Sequence, residues 1–515
     1  IGLSELVAGF LGGPSLLASI GEFVIAHQPP GAKDFVVGLF GTNDKLALEV
    51  LILTIAALIG ALLGIVADRL SFTAAAAGFG AFALAGFAAS LASPAATPTT
   101  SMIVALVGGV VGVQTLSYLL HAGRVDARNG SAGARARRAS ARAAGRTASM
   151  PSWSRRAFLV RAGAIALASG FAGIVGRRLL TGGLTSSVPT TAEGKPVTLS
   201  APVETATLPA GAEISQPGIT PLVVPNDQFY RIDTALIPPS VDASTWSLRI
   251  HGMVDHEVTL KYADLAELPM IEQYVTIACV SNEVGGNLVG NTKWTGVRLR
   301  DVLAMAGVQT AATQLVGRSV DGWTAGMPTA WVMDPAREPM IALKMDDQLL
   351  PRIHGYPARL IVPGLYGYVS ATKWLAELEL TTLEAFDAYW VPLGWSKEGP
   401  ILTQSRIDTP QNGQGVAAGR VPIAGVAWAP DRGITKVEVS VDRGAWLPAT
   451  LSTPISKATW VQWLIAWDAA AAGPGAHTIE VRATDGTGTV QTADRTPPPP
   501  DGARGHHAIQ VTVSG

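Results

Sequence analysis

The sequence predicts a multi-domain chain: an α-helical transmembrane region, then an α+β domain, then a β-sandwich. Three observations predict it. Residues up to about 180 are almost continuously apolar. From about 222 short strand-like and helix-like stretches alternate, and from about 395 alternating strands are separated by Gly, Asp and Pro turns. At 515 residues the chain is too long for one compact core, so several folding units are expected. A net charge of −1 and an aromatic content of 6% give no basis for a nucleic-acid partner. The chain begins with Ile1 and not Met, so a start segment is expected to be missing or removed.

A bilayer core takes about 20 apolar residues of helix. Residues 3–26, 46–67, 72–92 and 102–120 have that character, giving four spans within 1–120, and Gly13-Pro14 and Glu22 mark the first as broken or truncated. Residues 121–156 read as an arginine-rich loop whose one acid is Asp126. A fifth, weaker span follows at 157–180, where Arg161 has to snorkel. Positive charge is retained on the cytoplasmic side, which puts this loop inside and residues 181–515 outside. The expectation is a multi-pass cell-membrane protein with its C-terminal half extracytoplasmic.

Within the loop, Ser154-Arg155-Arg156-Ala157-Phe158-Leu159 resembles a twin-arginine export signal; the plainer reading is a basic stop before a transmembrane helix. That pathway exports folded proteins, usually with a cofactor already inside. No membrane haem is expected. His27 and His121 are the histidines of the first 180 residues and fall on opposite faces, and no Cys-x-x-Cys-His occurs.

Residues 181–221 are rich in Thr, Ser, Pro, Ala and Gly without periodicity, and read as a tether. In 222–393, WSLRIHGMV, QYVTIACV, YPARLIVPG and KWLAELELT read as strands, KYADLAEL as a short helix, and LRDVLAMAG as a helix closed by Gly307. In 394–515, GVAWAP, ITKVEVSVDRGAWLPATL, TWVQWLIAWDA and HTIEVRATDG read as sandwich strands, with DRTPPPPDG a loop.

Cys279, the one cysteine, sits at the end of the β-branched run QYVTIAC, just before a glycine-rich turn. Three readings compete: a small buried hydrophobe, a nucleophile, or a thiolate ligand to a soft metal. The histidine nearest in sequence is His256, too distant to count as a neighbouring base. A thiolate in an oxidising exterior is a liability unless a metal caps it.

The order of motifs decides among these. NDQFY, WSLRIHGMV, the strand ending in Cys279, WTGVRLRDVL at 294–303, HGYPARLIVPGLYG at 354–367 and KWLAELEL at 373–380 follow one another. Over residues 222–515 this resembles the sulfite oxidase family of molybdenum enzymes. The resemblance implies a sulfite-oxidase-type molybdopterin domain followed by an immunoglobulin-like sandwich, often a dimerisation module. It implies that the Cys279 sulfur binds molybdenum beside a pterin dithiolene. His354 and Arg359 then hold the pterin phosphate, Thr372 and Lys373 lie beside the pterin, Tyr230 and Arg231 grip it, and Asp321 lies near the metal's rim.

Departures from the family bear on substrate. Val280-Ser281-Asn282-Glu283-Val284 stands where sulfite oxidases carry Ala-Gly-Asn-Arg-Arg, so Glu283 replaces an anion-binding arginine, or else is a salt-bridged loop residue. Trp323 takes the place of a tyrosine beside the metal, and FYRIDT lacks the family's histidine. Cys279, Trp323 and Glu283 are the expected catalytic residues of an oxygen-atom transfer whose substrate is not sulfite. The rival readings are a sulfoxide-type reductase of the cell envelope and a non-catalytic membrane scaffold. Expected partners are a small-molecule or protein-bound oxygen donor or acceptor, a separate quinone or membrane redox protein for electron transfer, membrane lipid, and a homodimer or membrane-complex partner. His506-His507 reads as the approach to the last strand and not as a metal site.

Overall fold

The computed structural model describes residues 1–29, 36, 39–40, 44–92, 96–143, 153–181, 189–191 and 193–514, leaving aside the side chains of 122–143, 153–158 and 181. It divides into two units, residues 1–182 with 234–240, and 183–233 with 241–515.

The first unit is helical: α1 (Gly2–Leu11), α2 (Leu16–Ala26), α3 (Asp44–Arg69), α4 (Phe72–Leu91), α5 (Pro98–Ala143) and α6 (Trp153–Thr181). Asp44–Arg69, Phe72–Leu91, Pro98–His121 and Leu159–Leu180 are long and apolar enough to cross a membrane. Their apolar side chains face outward: Leu62, Leu84, Leu106 and Leu167 are all more than half exposed. The first expected span is broken, as Gly13-Pro14 suggested, with α1 and α2 meeting at 96°. The break is held together by polar groups. Ser15 Oγ accepts from Ala18 N at 3.0 Å and donates to the buried carboxylate of Glu5 at 2.6 Å, which also accepts from Leu17 N at 3.2 Å. Glycines let α1 and α6 touch backbone to backbone: a Cβ on Gly176 would lie 2.4 Å from Glu5 C. The stretch read as an arginine-rich loop begins as a continuation of α5 to Ala143, while residues 144–152 and the side chains of Arg155 and Arg156 lie outside the described residues.

Residues 234–240 belong to this helical unit, which the sequence reading did not anticipate. Lys45 Nζ donates to Ala235 O at 2.8 Å. Leu236 lies over Gly21, where a Cβ would meet its Cδ1 at 2.3 Å.

The second unit opens with β1 (Pro202–Glu204), β2 (Ser247–Gly252), β3 (Val258–Lys261), α7 (Tyr262–Glu267), β4 (Met270–Ala278) and β5 (Val289–Arg298). It continues with α8 (Leu299–Ala306), β6 (Gln314–Ser319), β7 (Thr324–Pro328), α9 (Thr329–Met333), β8 (Met340–Met345) and β9 (Gln348–Leu349). A 3-10 turn (Arg352–His354), β10 (Arg359–Ile361), α10 (Gly367–Ser370) and β11 (Leu375–Thr381) complete this part. One sheet runs β1-β4-β5-β8-β10, with β9 on β8, and the other β3-β2-β11-β6-β7. Alternation works as expected in β2, which buries Leu248 and Ile250, and α8 buries Leu299, Val302, Leu303 and Ala306 before Gly307 closes it at φ +70°.

The tether reading is corrected by the structure. From residue 189 the stretch is laid onto the second unit: β1 pairs in parallel with β4, Ile214 N donates to Gln462 Oε1 at 2.6 Å, and Ala212 is buried. Backbone pairing of so short a strand leaves no side-chain period to read. Residues 182–188 and 192 lie outside the described residues. The boundary expected at 394 also moves. Tyr366 N donates to Gly399 O at 2.7 Å and Ile401 lies in the α+β core, so the sandwich begins with β12 (Gln404–Thr409).

The sandwich continues with β13 (Gly415–Val416), β14 (Arg420–Trp428), β15 (Ile434–Val441), β16 (Leu447–Pro448) and β17 (Thr450–Leu451). Then come β18 (Val461–Asp468), α11 (Ala469–Ala472), β19 (Gly475–Asp485) and β20 (His507–Val513). Its sheets run β12-β14-β18-β17 and β13-β20-β19-β15-β16 over a core including Ile423, Val437, Trp463, Val481 and Val511. Val426 and Trp428 of β14 and Trp460 all reach into the α+β core. Trp460, just before β18, is fully buried in the α+β core, its Nε1 donating to Leu222 O at 3.0 Å and its N to Thr276 Oγ1 at 2.7 Å. Trp460→Ala should therefore cost about 3–5 kcal/mol and loosen β4 as well as β18. Chemical denaturation with amide exchange checks this; exchange rising in β18 alone would refute the shared core.

Candidate functional site

Cys279 follows the last residue of β4, and the chain after it folds back on itself. Cys279 N donates to Leu288 O at 2.9 Å, Asn282 N to Cys279 O at 3.1 Å, and Leu288 N to Asn282 Oδ1 at 2.8 Å. The loop thereby satisfies much of its own backbone and holds the thiol at its base, 9% exposed. Two tyrosines, Tyr366 buried and Tyr230 half-buried, feel that sulfur. Burial pushes the Tyr230 hydroxyl up, with Cys279 adding to the effect and Arg359 opposing it. Burial likewise pushes Tyr366 up to about 12, with Cys279 again contributing. Both phenols stay protonated beside the cysteine.

A second cluster is assembled by the return of residues 352–360 against 372–375. Leu360 N donates to Thr372 O at 3.0 Å, Trp374 N to Gly355 O at 3.2 Å, and Leu375 N to Ala358 O at 3.0 Å. Gly355 ends the 3-10 turn at φ +115°, and a Cβ there would meet Lys373 Cα at 3.0 Å, so nothing larger lets the segments approach. His354, Arg359, Thr372 and Lys373 come together here, all buried.

Their electrostatics are unusual. Lys373 Nζ donates to Asp233 Oδ2 at 3.0 Å and to Ile353 O at 3.1 Å, yet burial, with Arg359 and Arg231 nearby, holds its pKa down to about 8. Arg231 shares the same carboxylate, Nε to Oδ2 at 2.8 Å. Burial lowers Arg359 to about 10; its Nη1 donates to His354 O at 3.1 Å and its guanidinium lies 5.1 Å from the Trp294 ring centre. His354 Nε2 donates to Asn226 O at 2.8 Å, and burial beside Lys373 and Arg359 lowers its pKa to about 3, so the ring is neutral. Three buried polar atoms of this cluster then have no partner among the described residues: His354 Nδ1, a lone pair, Asn226 Oδ1, an acceptor, and Arg359 Nε, a donor.

The other expected residues fall into place less evenly. Asp321 accepts from Trp323 N at 3.1 Å in the β6–β7 turn, and burial raises its pKa, with Asp233 adding and Lys373 opposing. Trp323 is half-buried against the core and tied to this cluster through Asp321. Thr372 Oγ1 makes only a long bond to Gly317 O, 3.4 Å, and serves chiefly through its carbonyl. Glu283 is exposed on the loop after Cys279, and its carboxylate forms no ion pair among the described residues, so the salt-bridged alternative is not what the structure contains. His506 has both ring nitrogens bonded, to Glu480 at 2.8 Å and Gln491 O at 2.9 Å, which is structural.

Asn226, Asp233 and Tyr366 were missed. Each lies inside a motif already singled out, NDQFY, FYRIDT or HGYPARLIVPGLYG, but nothing in the spacing distinguished them.

No group of three or more His, Cys, Asp or Glu able to hold a metal exists among the described residues. A metal here would be bound by one thiolate and by donors of another molecule. The buried cations, an unused donor and an unused acceptor suit an anionic, hydrogen-bonding organic group. Residues and molybdopterin fit.

Comparison with known proteins agrees with this chemistry. Residues 235–390 match the family described as an oxidoreductase molybdopterin binding domain, and residues 404–481 a bacterial Ig domain. Mitochondrial sulfite oxidase of Homo sapiens is 30% identical over 271 residues, covering 44% of this chain and 49% of that protein. The chain thus spans about half the length of the sulfite oxidase it matches. An uncharacterised oxidoreductase of Bacillus subtilis is 30% identical over 171 residues, covering 33% of this chain and 82% of that protein. Among solved structures, the sulfane dehydrogenase SoxCD of Paracoccus pantotrophus aligns with a TM-score of 0.47 at 22% identity, covering 53% of this chain and 76% of that one.

The depressed Lys373 pKa has a thermodynamic consequence in cofactor-free protein. Between about 8 and the unfolded value of about 10.4 the unfolded state holds a proton that the folded state lacks, so this lysine's destabilisation is full below 8 and relieved as pH rises. Lys373→Met should remove this pH dependence, so the midpoint of the variant relative to wild type should fall as pH rises from 7 towards 10. Thermal scans across that range check it; a constant margin would contradict the burial of a charged lysine.

Proposed function

The chain belongs to the sulfite oxidase family of molybdopterin oxidoreductases, and on that footing we propose that it is a membrane-anchored, extracytoplasmic oxygen-atom-transfer enzyme whose substrate is not sulfite. Residues 235–390 form its molybdopterin-binding domain. The observation that carries the reading is the pairing of one buried thiol with a buried cationic cluster that retains an unused donor and acceptor. Buried cations cost stability unless an anion is bound, so a non-catalytic scaffold would have no reason to keep them.

When bound, the molybdenum centre supplies two-electron oxygen-atom transfer. The protein's own residues do the rest. Cys279 would give the metal a thiolate, which the closed loop holds in place. Arg359 would offer its unused Nε–H to the phosphate, His354 Nδ1 would accept from a protonated group of the same molecule, and Lys373 would lie beside the pterin. Tyr230, half-buried, and Tyr366, buried, both protonated, keep the sulfur's surroundings neutral. Asp321 orders the turn that carries Trp323 at the rim.

Substrate charge is set by Glu283. An exposed carboxylate in the loop that follows the metal's cysteine repels a dianion such as sulfite. It leaves neutral oxygen donors, sulfoxides above all, acceptable, and this favours the second reading, reduction of sulfoxides on small molecules or envelope proteins. Electrons then come from a separate partner, a quinone or a membrane redox protein. The arginine-rich stretch stays cytoplasmic, and the twin-arginine motif at 155–156 delivers the folded C-terminal half outward.

Purified protein should hold near-stoichiometric molybdenum, and Cys279→Ser should abolish turnover while leaving the fold intact. Electron paramagnetic resonance during titration should show a response to neutral sulfoxides and none to sulfite; sulfite turnover of equal efficiency would sink the substrate reading. Arg155→Lys with Arg156→Lys should leave residues beyond 200 protected from protease added outside the cell. Cleavage there in the double variant would mean that export uses another signal.

A further inference from the structure

The β-sandwich does more than share a core with the α+β domain. Its residues grip the chain on both sides of Cys279, at Thr276 and at Gly285-Gly286. We propose that the sandwich is a working part of the metal site, with Arg406 and His507 as positioning residues that hold the loop carrying the Cys279 sulfur. The proposal rests on the reading of Cys279 as the metal ligand, and goes beyond it by assigning residues of the second domain a role in that ligand's geometry.

Upstream, Thr276 N donates to Ala458 O at 2.9 Å, and Trp460 N donates to Thr276 Oγ1 at 2.7 Å. Downstream, Arg406 on β12 donates from Nη1 to Gly286 O at 2.8 Å. Its other groups are committed as well, Nε to Asp408 Oδ1 at 2.6 Å and Nη2 to Thr220 Oγ1 at 2.7 Å, while Asp408 Oδ2 accepts from Thr220 N at 2.9 Å. A buried guanidinium with every edge used has one orientation.

His507, at the start of β20, supplies the second contact. Its Nδ1 accepts from Ile407 N at 3.0 Å, which places the ring proton on Nε2 and fixes the plane of the imidazole. The ring lies against Gly285, where an added Cβ would sit 2.3 Å from Cδ2 and 2.4 Å from Nε2. Gly285 also has φ +80°, so both space and backbone require glycine. The groups facing this imidazole are Arg406, Asp408 and Arg495; burial, with Arg406, keeps it neutral, its pKa near 4.

Cys279 is bonded through its own N–H to Leu288 O, so the loop gripped at 285–286 is closed at the sulfur-bearing residue. Slack at the tip is passed to the base. If the sandwich served only to join copies of the chain, these contacts would be plain interdomain glue and the sulfur would not sense their loss.

The test uses full-length protein with His507→Ala, Arg406→Gln and the milder His507→Gln, whose amide can still accept from Ile407 N. Amide exchange, which needs no metal, should rise about tenfold over residues 280–288 in His507→Ala and Arg406→Gln, with β8 unchanged. In loaded protein the resonance spectrum of the metal should shift, with kcat reduced and KM held, and His507→Gln should recover much of both effects. Unchanged exchange over 280–288 overturns the grip. Faster exchange with an unshifted spectrum overturns the positioning of sulfur. If β8 loosens equally, the variants are globally unfolding, and His507→Gln, which should keep β8 intact, decides by the same two readings. Wild-type protein that holds no molybdenum overturns the ligand reading itself, a failure distinct from an unchanged exchange rate.

Discussion

The α+β domain is organised around a charge imbalance that it does not resolve by itself. Arg359 and Lys373 are buried with Arg231 and Arg352 nearby, and the carboxylate bonded to the lysine, Asp233, is shared with Arg231. Burial pulls Lys373 and Arg359 below their ordinary pKa values, the mark of charges held at a cost. A folded chain tolerates such a cost when something bound repays it, and the repayment here has the form of an anion. The glycine at 355 and the paired segments 352–360 and 372–375 exist to bring these cations within one ligand's reach.

The helical unit obeys a different constraint. Leu62, Leu84, Leu106 and Leu167 face outward on helices long and apolar enough to cross a membrane, while helices approach closely at Gly2, Gly9 and Gly176. Its polar contacts are few and specific: Glu5 with Ser15 at the broken first span, and Glu49 with Arg177 at 2.6 Å. The inclusion of residues 234–240 means that the chain, one residue after Asp233, leaves the cofactor domain's packing for that of the helices.

How far these features could be read from the sequence depended on whether the deciding contacts were local. The apolar spans, the break at Gly13-Pro14, α8 with its Gly307 cap and the alternation of β2 are local patterns, and all are present. His354, Arg359 and Lys373 were legible because a resemblance of motifs carried them. β1 was not, since Pro202–Glu204 joins its sheet by backbone alone. Nor was the docking of 234–240, which depends on Lys45 and Gly21 far upstream. His507 looked like the approach to a strand; its meeting with Gly285 exists only once two domains have packed.

Trp460 sets an order of events in biosynthesis. The α+β core lacks Trp460 until the stretch leading into β18 has been synthesised, long after β4 and Cys279 have been made. Loading of a large prosthetic group into a sealed interior then has a natural window: after the helices have been synthesised, before the last strands lock. An enzyme assembled this way matures by waiting, and the segment bearing Trp460 acts as the latch.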